Sequence, residues 1–109
     1  MKRGDLVTVA GGGPYAGKPR PAVIVQSDNF PETESVTMSL LTGEEADFPL
    51  LRLRLEPDSA NNLAHVSWIM ADKIVTVRRR HVGRKFGRLR DKDIMRLDRA
   101  MTVFLGLAG

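Results

Sequence analysis

The chain has 109 residues, 42% of them hydrophobic, which suits one domain, spanning 1–109, with a modest buried core. It contains no cysteine, which excludes disulfides, thiolate metal sites and a cysteine nucleophile, and suits a reducing cytoplasm. The net charge of +4 hides an asymmetry: residues 1–72 carry 6 Lys/Arg against 10 Asp/Glu, and residues 73–109 carry 11 against 3.

The start, Met1-Lys2-Arg3-Gly4-Asp5, leads straight into strand-like Leu6-Val7-Thr8-Val9, so the first strand is predicted over Asp5 to Ala10. No long apolar segment follows the basic residues, which predicts no signal peptide, and no apolar run of about 18 residues predicts a membrane span. Gly11-Gly12-Gly13-Pro14 breaks regular structure and opens a loop to Pro19. Ala22 to Val25 then reads as a buried strand, about Pro21 to Ser27 in all. Pro19 and Pro21 fix their own φ and push the preceding residue toward extended geometry, so Arg20 is held on a stiff backbone. Rigid presentation of a planar cation suits phosphate recognition; a strand-edge arginine capped by prolines is the plainer reading.

Asp28 to Ser35 is a polar connection and Val36 to Thr42 a third strand. Gly43 to Asp47 is an acidic turn. Leu51-Arg52-Leu53-Arg54-Leu55 alternates strictly, burying one face and leaving the arginines on the other. Pro57 to Asn62 is turn chemistry. His65 to Met70 and Lys73 to Val77 are two short strands or one bent strand. Arg78 to Arg90 holds seven cations (Arg78, Arg79, Arg80, Arg84, Lys85, Arg88 and Arg90) and no acid. Such a block is either a solvated face or the footprint of an anionic partner, most simply nucleic acid. Asp91 then offers an N-cap, with Asp93 in the first turn. Ile94, Leu97, Met101, Phe104 and Leu105 follow at helical spacing, which predicts an amphipathic helix from Asp91 to Leu105, ended by Gly106. The architecture is a small, mostly antiparallel sheet or barrel with a terminal helix packed on it.

Residue chemistry bounds the function. Arg20 suits holding negative charge on a phosphate and is a poor general base. Thr42 reads by type as a strand-end hydroxyl that caps the Gly43-Glu44 turn. His65 and His81 are the only histidines; His65 reads as a packed strand residue and His81 as part of the basic run. No ligand spacing for a metal stands out, so no cofactor is expected. Stacking candidates are Tyr15 and Phe48 in loops and Trp68 in a strand, with Tyr15 best placed beside Lys18 and Arg20 and Trp68 read as core. Arg52 and Arg54 either flank phosphates or are solvated.

An ordered set of motifs resembles the MazF/PemK family of bacterial toxin ribonucleases. Arg3-Gly4-Asp5-Leu6-Val7 resembles its opening strand, and Gly17 to Asp28 its segment around an Arg-Pro pair. Val36 to Thr42 is similar to its third strand, and Ser67 to Thr76 to its later acidic and amide motif, with Lys73 where glutamine is common. The resemblance spans nearly the whole chain. It implies an SH3-like barrel, a homodimer, and metal-independent, sequence-selective cleavage of single-stranded RNA to 2′,3′-cyclic phosphate and 5′-hydroxyl ends. It also implies an antitoxin protein partner and a cytoplasmic toxin. The catalytic arginine and threonine map onto Arg20 and Thr42, and RNA-contacting positions onto Asp72 and Lys73. With Tyr15, Lys18, Arg52 and Arg78 these complete the expected RNA-binding set. Two alternatives remain: a gyrase-poisoning toxin related to CcdB, whose tryptophan-bearing C-terminus this chain lacks, and a non-enzymatic nucleic-acid-binding module.

Overall fold

Alternation along the strands sorts the apolar residues onto two faces of one sheet. The computed structural model describes residues 1–10 and 18–107. The strands are β1 (Asp5–Val9), β2 (Arg20–Ile24), β3 (Ser35–Thr42), β4 (Arg52–Leu55), β5 (Ser67–Arg78) and β6 (Val82–Arg88), followed by the helix α1 (Asp91–Phe104). They form one six-stranded sheet in the order β4-β5-β3-β2-β1-β6, antiparallel throughout. The expected mostly β architecture with a terminal helix is the one observed.

Leu6, Val23, Leu41, Leu53, Leu55 and Ile69 point to the face covered by Leu97 and Ala100 of α1. Val7, Val9, Ala22, Ile24, Val36, Met38 and Leu40 point the other way and form a second core. Every buried member of that second core comes from a strand, as in a curled sheet.

Some boundaries differ from the expectation, and of the two readings left open after His65 the single strand is the one observed, β5. A register shift between Ser39 and Leu41 lets it pair with β3 along most of its length while its first part also pairs with β4. Val82 to Arg88, read as part of a charge block, is the edge strand β6 on β1. The second strand ends at Ile24, and Val25 leaves the ladder while staying buried. At α1 the N-cap is Arg90, and Asp91 is the first helical residue, where the exposed N–H groups still favour its charge. The helix ends as predicted: Gly106 takes φ +72, its N–H donates to Val103 O, and Leu107 N–H donates to Thr102 O.

No helix among the described residues is long and apolar enough to cross a membrane.

Candidate active site

Register alone assembles a row of residues across the sheet. β2 and β3 pair as Ala22 with Leu40, Val23 with Ser39 and Ile24 with Met38. The same register continued two residues sets Arg20 across from Thr42. On one side Arg20 is paired with Val9, and Val9 with Val82. On the other, Thr42 is paired with Trp68, and Trp68 with Arg54. Cross-strand partners project to the same face. Here that face is the one opposite α1, since Val9 and Val82 belong to the second core and Leu53 and Leu55 of β4 point to the helix side.

Thr42 is half-buried, and its Oγ1 accepts the Glu44 N–H at 3.1 Å, so the turn-capping role read from the sequence is real. It does not exhaust the hydroxyl. Accepting a bond from the turn leaves the O–H proton to donate outward.

Arg52, across from Met70, lies on the same face. Its Nε and Nη2 fork onto Asp72 Oδ1 and Oδ2 at 2.9 and 3.1 Å. That hydrogen bonding holds the Asp72 carboxyl below the usual carboxylate range, against a smaller opposing effect of burial. Two expected RNA contacts are thus tied to each other, with Arg52 Nη1 left to donate elsewhere. Arg54 pairs with Glu56.

The chain matches the profile of the PemK-like, MazF-like toxin of type II toxin–antitoxin systems over residues 2–105. It belongs to that family. A relative described as a probable endoribonuclease MazF, from Mycolicibacterium smegmatis, is 50% identical over 109 residues, covering 100% of both chains. Among solved structures, an endoribonuclease in complex with its cognate antitoxin from a mycobacterial species superposes with TM-score 0.83 at 21% identity, covering 100% of this chain and 98% of that one. A Mycobacterium tuberculosis MazF toxin gives 0.78 at 21% identity, covering 94% and 98%. A MazE–MazF structure from Deinococcus radiodurans gives 0.78 at 14%, covering 99% and 98%. At these identities the structural likenesses speak for the fold.

In this MazF-like toxin the remaining expected site residues divide. Lys18, two residues before Arg20, and Lys73, beside Asp72, are exposed. Tyr15 lies outside the described residues. Arg78 is exposed but pairs with Ser35, at the far end of β3 from Thr42. Seven residues at about 3.3 Å each put it roughly 23 Å away along the strand. It belongs to a different part of the surface from the Arg20–Thr42 row.

Much of the basic block has a structural task. Arg79 donates to the carbonyls of Pro31, at 2.7 Å, and Thr33. Arg88 donates to Arg3 O at 2.9 Å and Asp5 Oδ1 at 3.0 Å, and Lys85 reaches the same carboxylate at 3.3 Å. Asp5 is only 2% exposed. Burial works against its charge, but the Lys2 N–H, Arg88 and Lys85 together outweigh it and hold the carboxyl below its ordinary range. Arg90 pairs with Asp58 at 3.1 Å. Arg78, Arg80 and Arg84 are exposed and engage in no ion pair among the described residues.

Two aromatic and imidazole expectations are corrected. His65 is exposed in the loop before β5, because pairing begins at Ser67. Trp68 is half-buried on the groove side, because Ile69 and Ala71 take the core positions of that stretch. Trp68, Arg52 and Arg54 line an open cavity of about 520 Å³ with Glu45, Ala46, Asp47 and Pro49. The alternation of β5 was the signal: with Ile69 and Ala71 inward, Trp68 and Met70 must face the other way.

Proposed function

We propose that residues 1–109 act as one cytoplasmic toxin domain that cuts single-stranded RNA, silenced by a cognate antitoxin protein, and that the toxin works as a homodimer. Family membership and the relative named as an endoribonuclease support the activity. The observation that carries the site is the β2–β3 register, which sets a proline-clamped arginine across from a strand-end threonine.

In this reading the ribose 2′-hydroxyl gives up its proton to solvent, its oxygen attacks the adjacent phosphorus, the bond to the 5′-oxygen breaks, and that oxygen takes a proton from solvent. The products are a 2′,3′-cyclic phosphate and a 5′-hydroxyl end. Arg20 spans two phosphate oxygens and holds the charge that develops on them. Thr42, fixed by the Glu44 N–H, donates a hydrogen bond to a non-bridging oxygen. Lys18, Lys73 and Arg52 flank the backbone of the RNA. The Arg52–Asp72 fork keeps that arginine aimed at the groove rather than folded into solvent. The step uses no metal ion.

Incubation with a long single-stranded RNA in excess EDTA tests this. The expected result is a discrete set of cuts leaving 5′-hydroxyl ends, lost in Arg20→Ala. Binding without cutting by folded wild type refutes the enzymatic reading.

A further inference from the structure

The cavity beside Thr42 is built from three different chemistries on three elements. Its lining includes Trp68, paired directly with Thr42 across the β3–β5 ladder. It also includes Glu45 and Asp47 of the acidic connection after β3, and Arg52 and Arg54 of β4. Charge alone does not explain this layout. A groove that only held phosphates would gain nothing from two carboxylates on its rim, since both repel the polymer's backbone. A pocket for a base uses all three parts.

We propose that this cavity receives one nucleobase next to the scissile phosphate and selects guanine. The proposal rests on the RNA-cleaving reading above. The indole gives the base an apolar, stackable surface. Guanine presents two adjacent donors, N1–H and N2–H, on one edge, and a carboxylate accepts such a pair. Its opposite edge presents the O6 and N7 acceptors, which an arginine fork reads. No other base places two neighbouring donors on one edge and two acceptors on the other. With Nε and one Nη2 hydrogen on Asp72, Arg52 keeps its Nη1 hydrogens and the second Nη2 hydrogen for this fork. Glu45 and Asp47 are exposed surface residues, so exchanging them for amides does not disturb a core.

Trp68 is the only tryptophan in the chain, so intrinsic fluorescence reports on this cavity. The test titrates the full chain with cleavage-resistant 2′-O-methyl uridine heptamers carrying one central guanosine, inosine, adenosine or uridine. The guanosine heptamer should change Trp68 fluorescence saturably and bind at least about tenfold tighter than the uridine one, as a bidentate base contact implies. Inosine, lacking the N2 amine, should lose much of that gain. In the Glu45→Gln/Asp47→Asn double variant, where the arginine still reads O6 and N7, the guanosine and inosine heptamers should bind within about twofold of each other. Equal affinities for all four heptamers in wild type, or a guanosine-over-inosine preference that survives the double variant, overturns the pocket. Cleavage of unmodified RNA is read in parallel. Cutting without guanosine selectivity removes the pocket and leaves the nuclease. Selectivity without cutting keeps the base pocket and removes the nuclease.

Discussion

Two cation-rich regions of this molecule behave differently. On the groove face, Arg20 opens β2 between two prolines, opposite Thr42 when the β2–β3 register is extended two residues, and Arg52 is forked onto Asp72 with Nη1 left over. In the stretch from Arg78 to Arg90, which holds far more charge, Arg79, Lys85, Arg88 and Arg90 are spent on carbonyls and carboxylates of distant segments. Cation density in a sequence therefore says less about an anion site than where the donors end up. The block that looked most like a nucleic-acid footprint is largely the staple that joins β6, the N-terminus and two loops.

Substitutions that treat the two regions alike should give opposite readouts. The largest effect is expected at Arg20. Arg20→Ala should lower the cleavage rate by roughly 10²–10³, the cost of removing one transition-state donor, with the thermal midpoint nearly unchanged. In the other region, Asp5→Ala strands Arg88 and Lys85 and frees the Lys2 N–H. It should cost about 2 kcal/mol in denaturant unfolding, below the usual range for a buried pair because both cations are half in solvent. Per-molecule cleavage by the remaining folded fraction should hold.

Thr42→Val should slow cutting by roughly ten- to a hundredfold, the order expected for losing one hydrogen bond to a charged acceptor, and Thr42→Ser should restore most of it. Single-turnover rates check both. The smallest effect is expected at Arg84, which is exposed and close to the Val82 end of the row. Arg84→Gln should leave stability unchanged and reduce the salt slope of RNA binding by at most about 0.7, one phosphate contact.

Acid should act mainly through the staple. Asp5, Asp58 and Asp72 all ionise more readily folded than free. As pH falls, the unfolded chain takes up these protons first, so their stabilisation is complete above their unfolded values of about 4 and is lost as pH drops through the lower folded values. A pH series of chemical denaturations should show a plateau near neutrality and a decline below about pH 4. Asp5→Asn should flatten that decline.

The sheet was legible where alternation is strict. Leu51 to Leu55 announces β4, and the spacing of Ile94, Leu97 and Met101 announces α1. β6 was hidden because Lys85 and Arg88 take their places by pairing with β1 and Asp5, a long-range cause with no local period. Gly87 was the quiet clue: a Cβ there would run into the backbone of Asn61, a close approach that a solvated loop does not need. β5 stayed open between two short strands and one bent strand because Asp72 and Lys73 interrupt its apolar run, and only the register shift opposite Leu40 makes it continuous. Arg20 and Thr42 were legible as residue types; their juxtaposition was not, since it depends on how β2 and β3 slide past each other.

The most direct test of the central claim is end-mapping of a long single-stranded RNA after incubation with wild type and Arg20→Ala in excess EDTA. Discrete 5′-hydroxyl ends in the first, and at least about a hundredfold fewer in the equally folded second, is the predicted result. Wild-type cutting by Arg20→Ala would contradict the account, because the row that places Arg20 across from Thr42 would then have no part in the chemistry.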